Sequence, residues 1–293
     1  MHSSSRLPRS RFAPSPTGWL HLGHAVNAVF VWGFTRAHGG RVILRIDDHD
    51  RGRCRPEYAQ GILDDLDWLG LVPDEQSVRD AAIYESSLSG LSSLVSGLVY
   101  PCICSRHDIA AIVGDAPDVE SPYPGTCRIR GVDPAATPAR RVVMESRDET
   151  FVDLALGPQS QNPAHQCGDL LVCDRGGNWT YHFSVVVDDL VEGIDVVIRG
   201  EDLLQSTGRQ IQLARLLGRE RPPQYLHHPL VRRPDGSKLS KSDGDTGLRD
   251  LRAAGWSAAR VLGHAATLLG LQRAERTVGA DDLASLFADA GAH

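Results

Sequence analysis

Hydrophobic and polar positions follow a regular order in the first part of the chain. Residues 10–13 are spaced like a short buried strand, and residues 14–18 must be irregular because two prolines fix their dihedral angles and lack amide donors. The apolar spacing then predicts a helix over 24–37, a strand over 41–46 and a helix over 56–69. Strand, loop, helix, strand, helix is typical of the opening of a parallel α/β sheet.

The pattern changes between residues 100 and 181. This segment is rich in proline, holds five of the six cysteines and has no long helical period, which predicts an inserted subdomain. The α/β pattern resumes with an apolar run at 183–187, a second run at 195–199 and a helix over 207–217. Residues 248–287 are rich in alanine and predict a wholly helical tail.

Composition narrows the class of protein. A chain of 293 residues with 41% hydrophobic content can bury a large core. No apolar run approaches the roughly 18 residues that span a bilayer, and the start lacks the apolar block of a secretory signal, so we expect a cytoplasmic protein with no membrane partner. Six cysteines in so long a chain favour a reduced compartment, where some could bind metal. The net charge of −6 argues against wholesale coating of nucleic acid.

The run His21-Leu22-Gly23-His24 lies between the first predicted strand and the first predicted helix. A helix start offers backbone N–H groups and a positive dipole end to an anion, and two imidazoles can donate to phosphate oxygens. Gly23 lets a flat ring approach the backbone. Taken alone, the same tetrapeptide could equally be a pair of hydrogen-bonded histidines or an accidental metal site.

Two lysines, Lys238 and Lys241, stand in a polar loop far downstream. Flexible ammonium groups can follow negative charge onto a departing pyrophosphate, although a lone lysine-rich loop is usually a solvated surface. Two basic clusters could each be a local track for nucleic acid or a solvated face. One consists of Arg128, Arg130, Arg140 and Arg141, and the other of Arg232, Arg233, Lys238 and Lys241.

Together the two motifs resemble the HIGH and KMSKS signatures of the class I aminoacyl-tRNA synthetases. Other runs narrow the resemblance to the glutamyl and glutaminyl branch, and they lie at 11–18, 45–50, 186–189 and 199–202. The resemblance implies an α/β fold with a Rossmann-type catalytic core, a zinc-containing connective insertion and a C-terminal helical stem. It also implies catalytic roles for His21, His24, Lys238 and Lys241, and binding of ATP with Mg²⁺ by His21, Gly23, His24 and Lys241.

The resemblance further implies a glutamate site. Glutamate carries two carboxylates and one ammonium, so its site needs cations and a phenol for the acids and an acidic side chain for the amine. Arg11, Tyr181 and Arg199 match the family's glutamate-contacting Arg, Tyr and Arg. Asp47 stands where the family usually has Glu, so a shorter acid is expected at the amine. Residues of the first loop are expected to line the pocket, namely Phe12, Ala13, Pro14 and Ser15. Without the resemblance, Arg11 and Arg199 would more often be surface ion-pair residues.

A third pattern consists of cysteines. Cys102 and Cys104 can chelate one tetrahedral ion, and Cys127 can return to them on a turn. Three sulfurs leave one ligand missing, and the resemblance to short glutamyl-Q enzymes supplies Tyr123. An empty or three-cysteine site is the alternative. The remaining cysteines lack such spacing and are expected to be ordinary core or surface residues: Cys54, Cys167 and Cys173.

The segment after the lysine loop is too short for the anticodon-binding domain of a full-length glutamyl or glutaminyl enzyme. This resembles the glutamyl-Q tRNA(Asp) synthetase branch, which attaches glutamate to queuosine in the anticodon loop of tRNA(Asp). The implied partners are ATP, L-glutamate and queuosine-containing tRNA(Asp), with activation independent of tRNA, one structural Zn²⁺, and Mg²⁺ with ATP. We expect a monomer.

The expected segments are the first half of the Rossmann domain at 1–100, the insertion at 101–180, the second half with the lysine loop at 181–246, and the helical tail at 247–293. Three alternatives stay open. They are a discriminating glutamyl-tRNA synthetase core, a small-molecule nucleotidyltransferase that shares the histidine motif, and an inactive interaction module.

Overall fold

A computed structural model of the chain describes residues 7–49, 52–114, 121–231 and 247–288. The strands of this part are β1 (Arg9–Phe12), β2 (Arg41–Arg45), β3 (Glu75–Ser77), β4 (Val99–Pro101), β5 (Arg140–Val142), β6 (Glu149–Asp153), β7 (Gly157–Gln161), β8 (Leu170–Cys173), β9 (Val196–Gly200) and β10 (Gln224–His228). The α-helices are α1 (Leu22–Ala37), α2 (Pro56–Leu69), α3 (Ala82–Leu94), α4 (Arg106–Val113), α5 (Thr126–Arg130), α6 (Pro163–Cys167), α7 (Tyr181–Val191), α8 (Thr207–Leu216), α9 (Leu248–Ala253) and α10 (Ala258–Leu268). Across these ranges, no helix is both long enough and apolar enough to cross a membrane.

The chain forms two compact units. Unit 1 consists of Met1–Val78, Ile194–Asp202 and Pro223–His293, and unit 2 of Arg79–Gly193 and Leu203–Pro222. Unit 2 therefore interrupts the sequence of unit 1 twice.

Unit 1 is built on parallel strands. β1, β2 and β3 pair side by side in that order, all parallel, and β9 pairs in parallel with β10. Two hydrogen bonds bring the start of β9 beside β1: Asp195 N–H donates to the Arg9 carbonyl at 2.8 Å, and Arg9 N–H donates to the side-chain Oδ2 of Asp195 at 3.0 Å. The predicted parallel α/β arrangement is confirmed.

Helix α1 is the central helix of the unit 1 core. Val29, Trp32 and Phe34 are buried in the same cluster as Phe12 of β1 and Leu262 of α10. The Phe12 and Trp32 rings meet edge to face with centroids 5.3 Å apart. Fully burying such a side chain contributes about 1.5–3 kcal/mol, so this helix fixes the position of the loop that leads into it.

The prediction of a wholly helical tail is wrong in part. α9 and α10 are separate helices, and a 3₁₀ segment follows at Ala280–Phe287. Gly255 and Gly270 lie just beyond the ends of α9 and α10 with φ of 80° and 71°. Because this left-handed backbone cannot continue a helix, these two glycines break the tail into pieces.

Unit 2 contains an antiparallel sheet in the order β4-β5-β8 and a β6–β7 hairpin. The apolar run at 183–187 lies inside helix α7, where it packs in the core of this unit. Glu149 at the start of β6 is buried and accepts two hydrogen bonds from Arg215 of α8, at 2.8 and 2.7 Å. An apolar core and a partly buried ion pair thus hold the helices against the strands.

Candidate functional site

Three charged side chains are buried where parallel strands of unit 1 end. Arg11 lies near the end of β1, Asp47 just after β2 and Arg199 near the end of β9, and they are 5%, 3% and 4% exposed. The side chain of Arg11 reaches β9, since its Nη1 donates to the Ile198 carbonyl at 3.4 Å. In open α/β sheets ligands bind at the carboxyl ends of strands. We call Arg11, Asp47, Arg199, His21 and His24 the strand-end site.

Each buried charge of this site has a buried partner. Arg45 Nε donates to Asp47 Oδ1 at 2.8 Å, and Arg199 Nε contacts His227 Nε2 at 3.0 Å. Because a guanidinium only donates, His227 Nε2 must accept, so that ring is neutral with its proton on Nδ1. The roles of Arg45 and His227 were missed from the sequence, since the run 45–50 carries the family resemblance without showing what Arg45 does, and His227 belongs to no recognisable motif.

The loop after β1 is tied to the end of β2. Asp47 N–H donates to the Pro14 carbonyl at 3.0 Å, and Ala13 and Ser15 are half-buried. The side chain of Phe12 packs against Trp32 in the core, so Phe12 has only its backbone to offer a ligand. The predicted lining residues thus lie on one loop beside Asp47.

The two histidines cap helix α1 reciprocally. His21 Nδ1 accepts from Gly23 N–H at 3.1 Å, and His24 Nδ1 accepts from His21 N–H at 3.1 Å. Their ring centroids are 4.0 Å apart. Since a backbone N–H can only donate, both Nδ1 atoms are acceptors, and each neutral ring carries its proton on Nε2. Both rings therefore offer the N–H donor that a phosphate oxygen requires.

Gly23 makes this arrangement possible. A Cβ at position 23 would lie 3.0 Å from Cε1 and 3.1 Å from Nδ1 of His21. A larger residue would displace the His21 ring from its cap.

Lys238 and Lys241 lie outside the described residues, as do Arg232 and Arg233. The chain just after this loop is described. Gly247 forms a β-bridge with His21, and Leu248 N–H donates to the Leu20 carbonyl at 2.9 Å. Gly247, the first described residue after Lys241, therefore lies directly beside the histidine motif.

Tyr181 belongs to unit 2, where it is the first residue of helix α7. Its ring lies edge to face with that of His182, with centroids 5.3 Å apart. Its predicted contact with glutamate stays a prediction.

A cleft of about 510 Å³ in unit 1 is lined by Trp19, two residues before the histidine motif, and by residues of α2 and α9. The Arg249 guanidinium lies 4.1 Å from the centre of the Trp19 ring. Asp65 of α2 is 3% exposed, and its Oδ2 has no hydrogen-bond partner in the described chain. Burial raises the pKa of Asp65 to about 6, against the opposing charges of Arg249 and Arg252.

Unit 2 contains the predicted sulfur ligands. The Sγ atoms of Cys102, Cys104 and Cys127 all lie within 4.8 Å of one another, and Cys104 and Cys127 are 3.4 Å apart. The Tyr123 hydroxyl oxygen is 3.5 Å from Cys102 Sγ and 3.8 Å from Cys104 Sγ. We call these four residues the sulfur cluster.

The spacing of the sulfur cluster fits a tetrahedral zinc ion. With Zn–S bonds of about 2.3 Å and Zn–O bonds of about 2.0 Å, two sulfurs lie about 3.8 Å apart and a sulfur and an oxygen about 3.5 Å apart. Three of the edges, Cys104–Cys127, Cys102–Tyr123 and Cys104–Tyr123, match these values to within a few tenths of an ångström, and all three sulfurs lie within 4.8 Å of one another. The donor set therefore fits the ion, with Tyr123 in place to be the fourth ligand.

Gly168 holds Tyr123 in this place. The two residues form a β-bridge, and Tyr123 N–H donates to the Cys167 carbonyl at 2.9 Å. Gly168 has a φ of 64° and a ψ of −153°, and a Cβ there would lie 2.1 Å from the Tyr123 carbonyl oxygen. Only glycine fits this combination of backbone angle and close contact.

The protonation of the cluster depends on local bonds. Burial raises the pKa of Cys104 to about 11 and also raises the pKa of Tyr123. Burial acts on Cys127 as well, but the Tyr123 hydroxyl and the backbone near Ile103 outweigh it and lower the pKa of Cys127 to about 7. A bound cation would therefore be needed to bring the other ligands into their charged forms.

The basic cluster 128–141 is not one exposed surface. Arg141 is buried, Arg128 pairs with Asp169 at 3.2 Å, and Arg140 Nη1 donates to the Ala139 carbonyl at 3.0 Å. Arg141 is therefore removed from any surface track for phosphates, whereas Arg128 and Arg130 are exposed, so a smaller basic surface there stays a prediction. The other cysteines lie outside the sulfur cluster, with Cys167 and Cys173 buried and Cys54 half-buried.

Comparison with known proteins identifies the family. A family model described as tRNA synthetases class I (E and Q), catalytic domain, matches residues 9–281. The glutamyl-Q tRNA(Asp) synthetase of Symbiobacterium thermophilum is 41% identical over 300 residues, which cover 94% of this chain and 91% of that protein. The protein of the same name from Burkholderia cenocepacia is 46% identical over 248 residues, covering 82% of each chain.

A solved structure supports the same assignment. The glutamate tRNA ligase of Elizabethkingia meningosepticum, crystallised in complex with its amino acid, superposes with a TM-score of 0.78 and 26% identity. The match covers 95% of this chain and 64% of that ligase, so this chain spans less than two thirds of its length. The predicted class I synthetase fold is confirmed, and the chain belongs to the class I tRNA synthetases of the E and Q family.

Proposed function

We propose that this chain activates L-glutamate with ATP, without tRNA, and transfers it to queuosine in the anticodon loop of tRNA(Asp). The observation that carries the proposal is that relatives named glutamyl-Q tRNA(Asp) synthetase are 41% and 46% identical over most of the chain. The chain is on this view an ATP-dependent ligase. In the first step a glutamate α-carboxylate oxygen attacks the α-phosphorus of ATP and pyrophosphate leaves. In the second, a queuosine hydroxyl attacks the carbonyl carbon of the adenylate and AMP leaves.

The strand-end site has the charges that glutamate requires. Arg11 and Arg199 supply buried cations for the two carboxylates, and Asp47 supplies an anion for the ammonium. Asp47 Oδ1 already accepts a hydrogen bond from Arg45, and this bond fixes the direction of the Asp47 side chain before glutamate binds. Tyr181 and the loop 12–15 complete the proposed glutamate contacts.

The histidines act on phosphate without forming covalent bonds. His21 and His24 donate Nε2–H to ATP oxygens, and their caps hold both rings in place before ATP arrives. Gly23 admits the adenine, and Mg²⁺ enters with ATP. Lys238 and Lys241 stabilise the departing pyrophosphate, a role supported by the position of Gly247 beside His21.

The test offers radiolabelled glutamate and ATP to tRNA from wild-type and queuosine-deficient cells. Label should appear only on the wild-type tRNA. Label on both pools would favour the glutamyl-tRNA synthetase alternative, and glutamate-independent use of ATP would favour the nucleotidyltransferase.

We propose in addition that the sulfur cluster binds one structural zinc ion, with Cys102, Cys104, Tyr123 and Cys127 as ligands. When bound, the ion supplies a fixed tetrahedral crosslink of the connective insertion. Elemental analysis should find one zinc per chain in wild type, and Cys102→Ser should lose it. Cys167→Ser is the matched control because Cys167 is buried nearby and lies outside the cluster. Zinc absent from wild type, or retained in Cys102→Ser, would contradict the proposal.

The remaining expectations concern context. A cytoplasmic location, a monomeric state and a C-terminal part that acts as a stem all remain proposals. Sedimentation of the purified protein checks the monomer, and a dimer would contradict it.

A further inference from the structure

One buried cation in unit 2 has no part in the reaction proposed above. Arg141 is 7% exposed, and its guanidinium carbon lies 3.7 Å from the centre of the Tyr123 ring. Its Nε donates to Cys102 Sγ at 3.2 Å, and its Nη1 donates to the Asp169 carbonyl at 2.7 Å. Arg141 therefore touches two of the four residues of the sulfur cluster.

The backbone aims Arg141 at the cluster. In β5, Arg140 pairs with Cys173 of β8 but Arg141 pairs with Leu171, so the register shifts between the two arginines. An irregularity of this kind redirects a side chain relative to its neighbour. On the other edge of β5, Arg141 lies opposite Tyr100, close along the chain to Cys102.

The charge of Arg141 calls for an anion. In the part of the chain that the structure describes, its side-chain hydrogen bonds go to a sulfur and a carbonyl rather than to a carboxylate. The carboxylate of Asp169 is engaged by the Tyr100 hydroxyl at 2.6 Å and by Arg128. A buried cation is costly unless an anion balances it. Three thiolates around Zn²⁺ form such an anion, and a phenolate as fourth ligand would add further negative charge.

We propose that Arg141 is the positioning residue of the sulfur cluster: it orients Cys102 and Tyr123 as ligands and balances the charge of the metal-bound form. This rests on the proposed zinc site. The guanidinium plane over the ring fixes the direction of the Tyr123 hydroxyl, and the bond to Cys102 Sγ fixes one thiolate. Groups that orient metal ligands typically change metal affinity by about 10–100-fold when they are replaced.

The test compares zinc affinity in wild type, Arg141→Gln, Arg141→Lys and Arg140→Gln by competition with a chromophoric chelator. Arg141→Gln should weaken zinc binding by about 10–100-fold. Arg141→Lys keeps the charge but loses the planar contact with the Tyr123 ring, so its zinc affinity should lie between those of wild type and Arg141→Gln. Arg140→Gln is the matched control on the same strand and should stay within about threefold of wild type, because among the described residues the Arg140 side chain donates to backbone carbonyls and not to the sulfur cluster.

Thermal unfolding with and without zinc separates positioning from a merely structural role. The stabilisation by added zinc should shrink in Arg141→Gln in proportion to its lost affinity. Equal zinc affinity in wild type and Arg141→Gln would overturn the inference, even if the metal-free variant were less stable. Should the glutamine variant not fold, Arg141→Lys decides, and wild-type affinity there would likewise overturn it. A wild-type chain that binds no zinc would instead overturn the zinc site itself, before any variant is measured.

Discussion

The strand-end site of unit 1 and the sulfur cluster of unit 2 handle charge in different ways. The strand-end site brings both signs together, with Arg11 and Arg199 as cations and Asp47 as an anion, all at least 95% buried. The sulfur cluster consists of four groups that would become anionic on binding the proposed metal, with Arg141 as the cation beside them. The strand-end site suits a substrate that carries both positive and negative charges, and the sulfur cluster suits a permanently bound cation.

The difference also shows in how each site is prepared. In unit 1, hydrogen bonds to Arg45 and His227 hold the charges before any ligand arrives. In unit 2, burial keeps Cys104 and Tyr123 protonated, because it raises the pKa of both. The strand-end site is therefore preorganised, whereas Cys104 and Tyr123 of the sulfur cluster would need a bound cation to take their charged forms.

The largest expected effect concerns the amino acid accepted by the strand-end site. Glutamate should support ATP–pyrophosphate exchange without tRNA, and glutamine should be slower by about a thousandfold or more, because an amide leaves one buried cation without an anion. Aspartate keeps both charges and loses only reach, so it should be the closer competitor. Exchange rates with the three amino acids measure this directly.

A variant sharpens the same test. Arg199→Gln should narrow the preference for glutamate over glutamine, whereas Arg215→Gln, in unit 2 and outside the site, should leave the ratio unchanged. Equal rates for glutamate and glutamine in wild type, or no exchange until tRNA is added, would contradict the proposed site.

The next effect concerns the placement of Tyr123 in the sulfur cluster. Gly168→Ala should destabilise the protein by about 3 kcal/mol or more, because it combines a glycine-only backbone conformation with a clash against the Tyr123 backbone. Gly177→Ala is the control, since its φ is 78° but a Cβ there meets nothing within 4 Å. That variant should lose about 1 kcal/mol. Urea unfolding gives both values, and equal losses would show that the contact with Tyr123 is unimportant.

The contrast between the two sites explains what the sequence could predict. Residues in short contiguous runs were found, because His21 and His24 lie at one helix start and Cys102 and Cys104 are neighbours. The roles of their partners were not predicted, since Arg45, His227 and Arg141 acquire them only through contacts that the folded chain creates. A lone arginine in a sequence gives no sign of whether it will be buried against a sulfur.

Secondary structure shows the same limit. The first strands and helices were predicted to within a few residues, because apolar spacing and prolines are local signals. The prediction of a wholly helical tail was wrong at Gly255 and Gly270, which take left-handed conformations, although glycine after a helical run is a known stop signal. The irregular register of β5, which aims Arg141, has no local sequence signal.

A smaller effect is expected from the histidine motif. His24→Asn should lower ATP–pyrophosphate exchange by about a hundredfold, because asparagine can still accept from His21 N–H but lacks the Nε2–H donor. The thermal midpoint should hardly change, since the cap is kept. His38→Asn, at the other end of α1, is the control and should retain full exchange. Near wild-type exchange in His24→Asn would remove His24 from the phosphate site.

The smallest effect compares one buried carboxylate in each unit, Asp65 and Glu149, both 3% exposed. Burial raises the pKa of Asp65 to about 6, so its protonated form favours folding and this stability is lost as pH rises from about 4 to about 6. Asp65→Asn stays neutral and should be more stable than wild type by about 1–3 kcal/mol at pH 8, with no difference below pH 4.

Burial also opposes the charge of Glu149, but Arg215 outweighs burial and lowers the pKa of Glu149. The stability that ionised Glu149 contributes is therefore present above the unfolded pKa and lost as pH falls. Glu149→Gln should therefore cost about 1 kcal/mol at pH 8, a modest value because Arg215 is 45% exposed to solvent, and nothing at low pH. Urea unfolding at several pH values measures the change in unfolding free energy of both variants. If Asp65→Asn were less stable than wild type at pH 8, the charged form of Asp65 would have to be stabilised by a partner, and the prediction would be wrong.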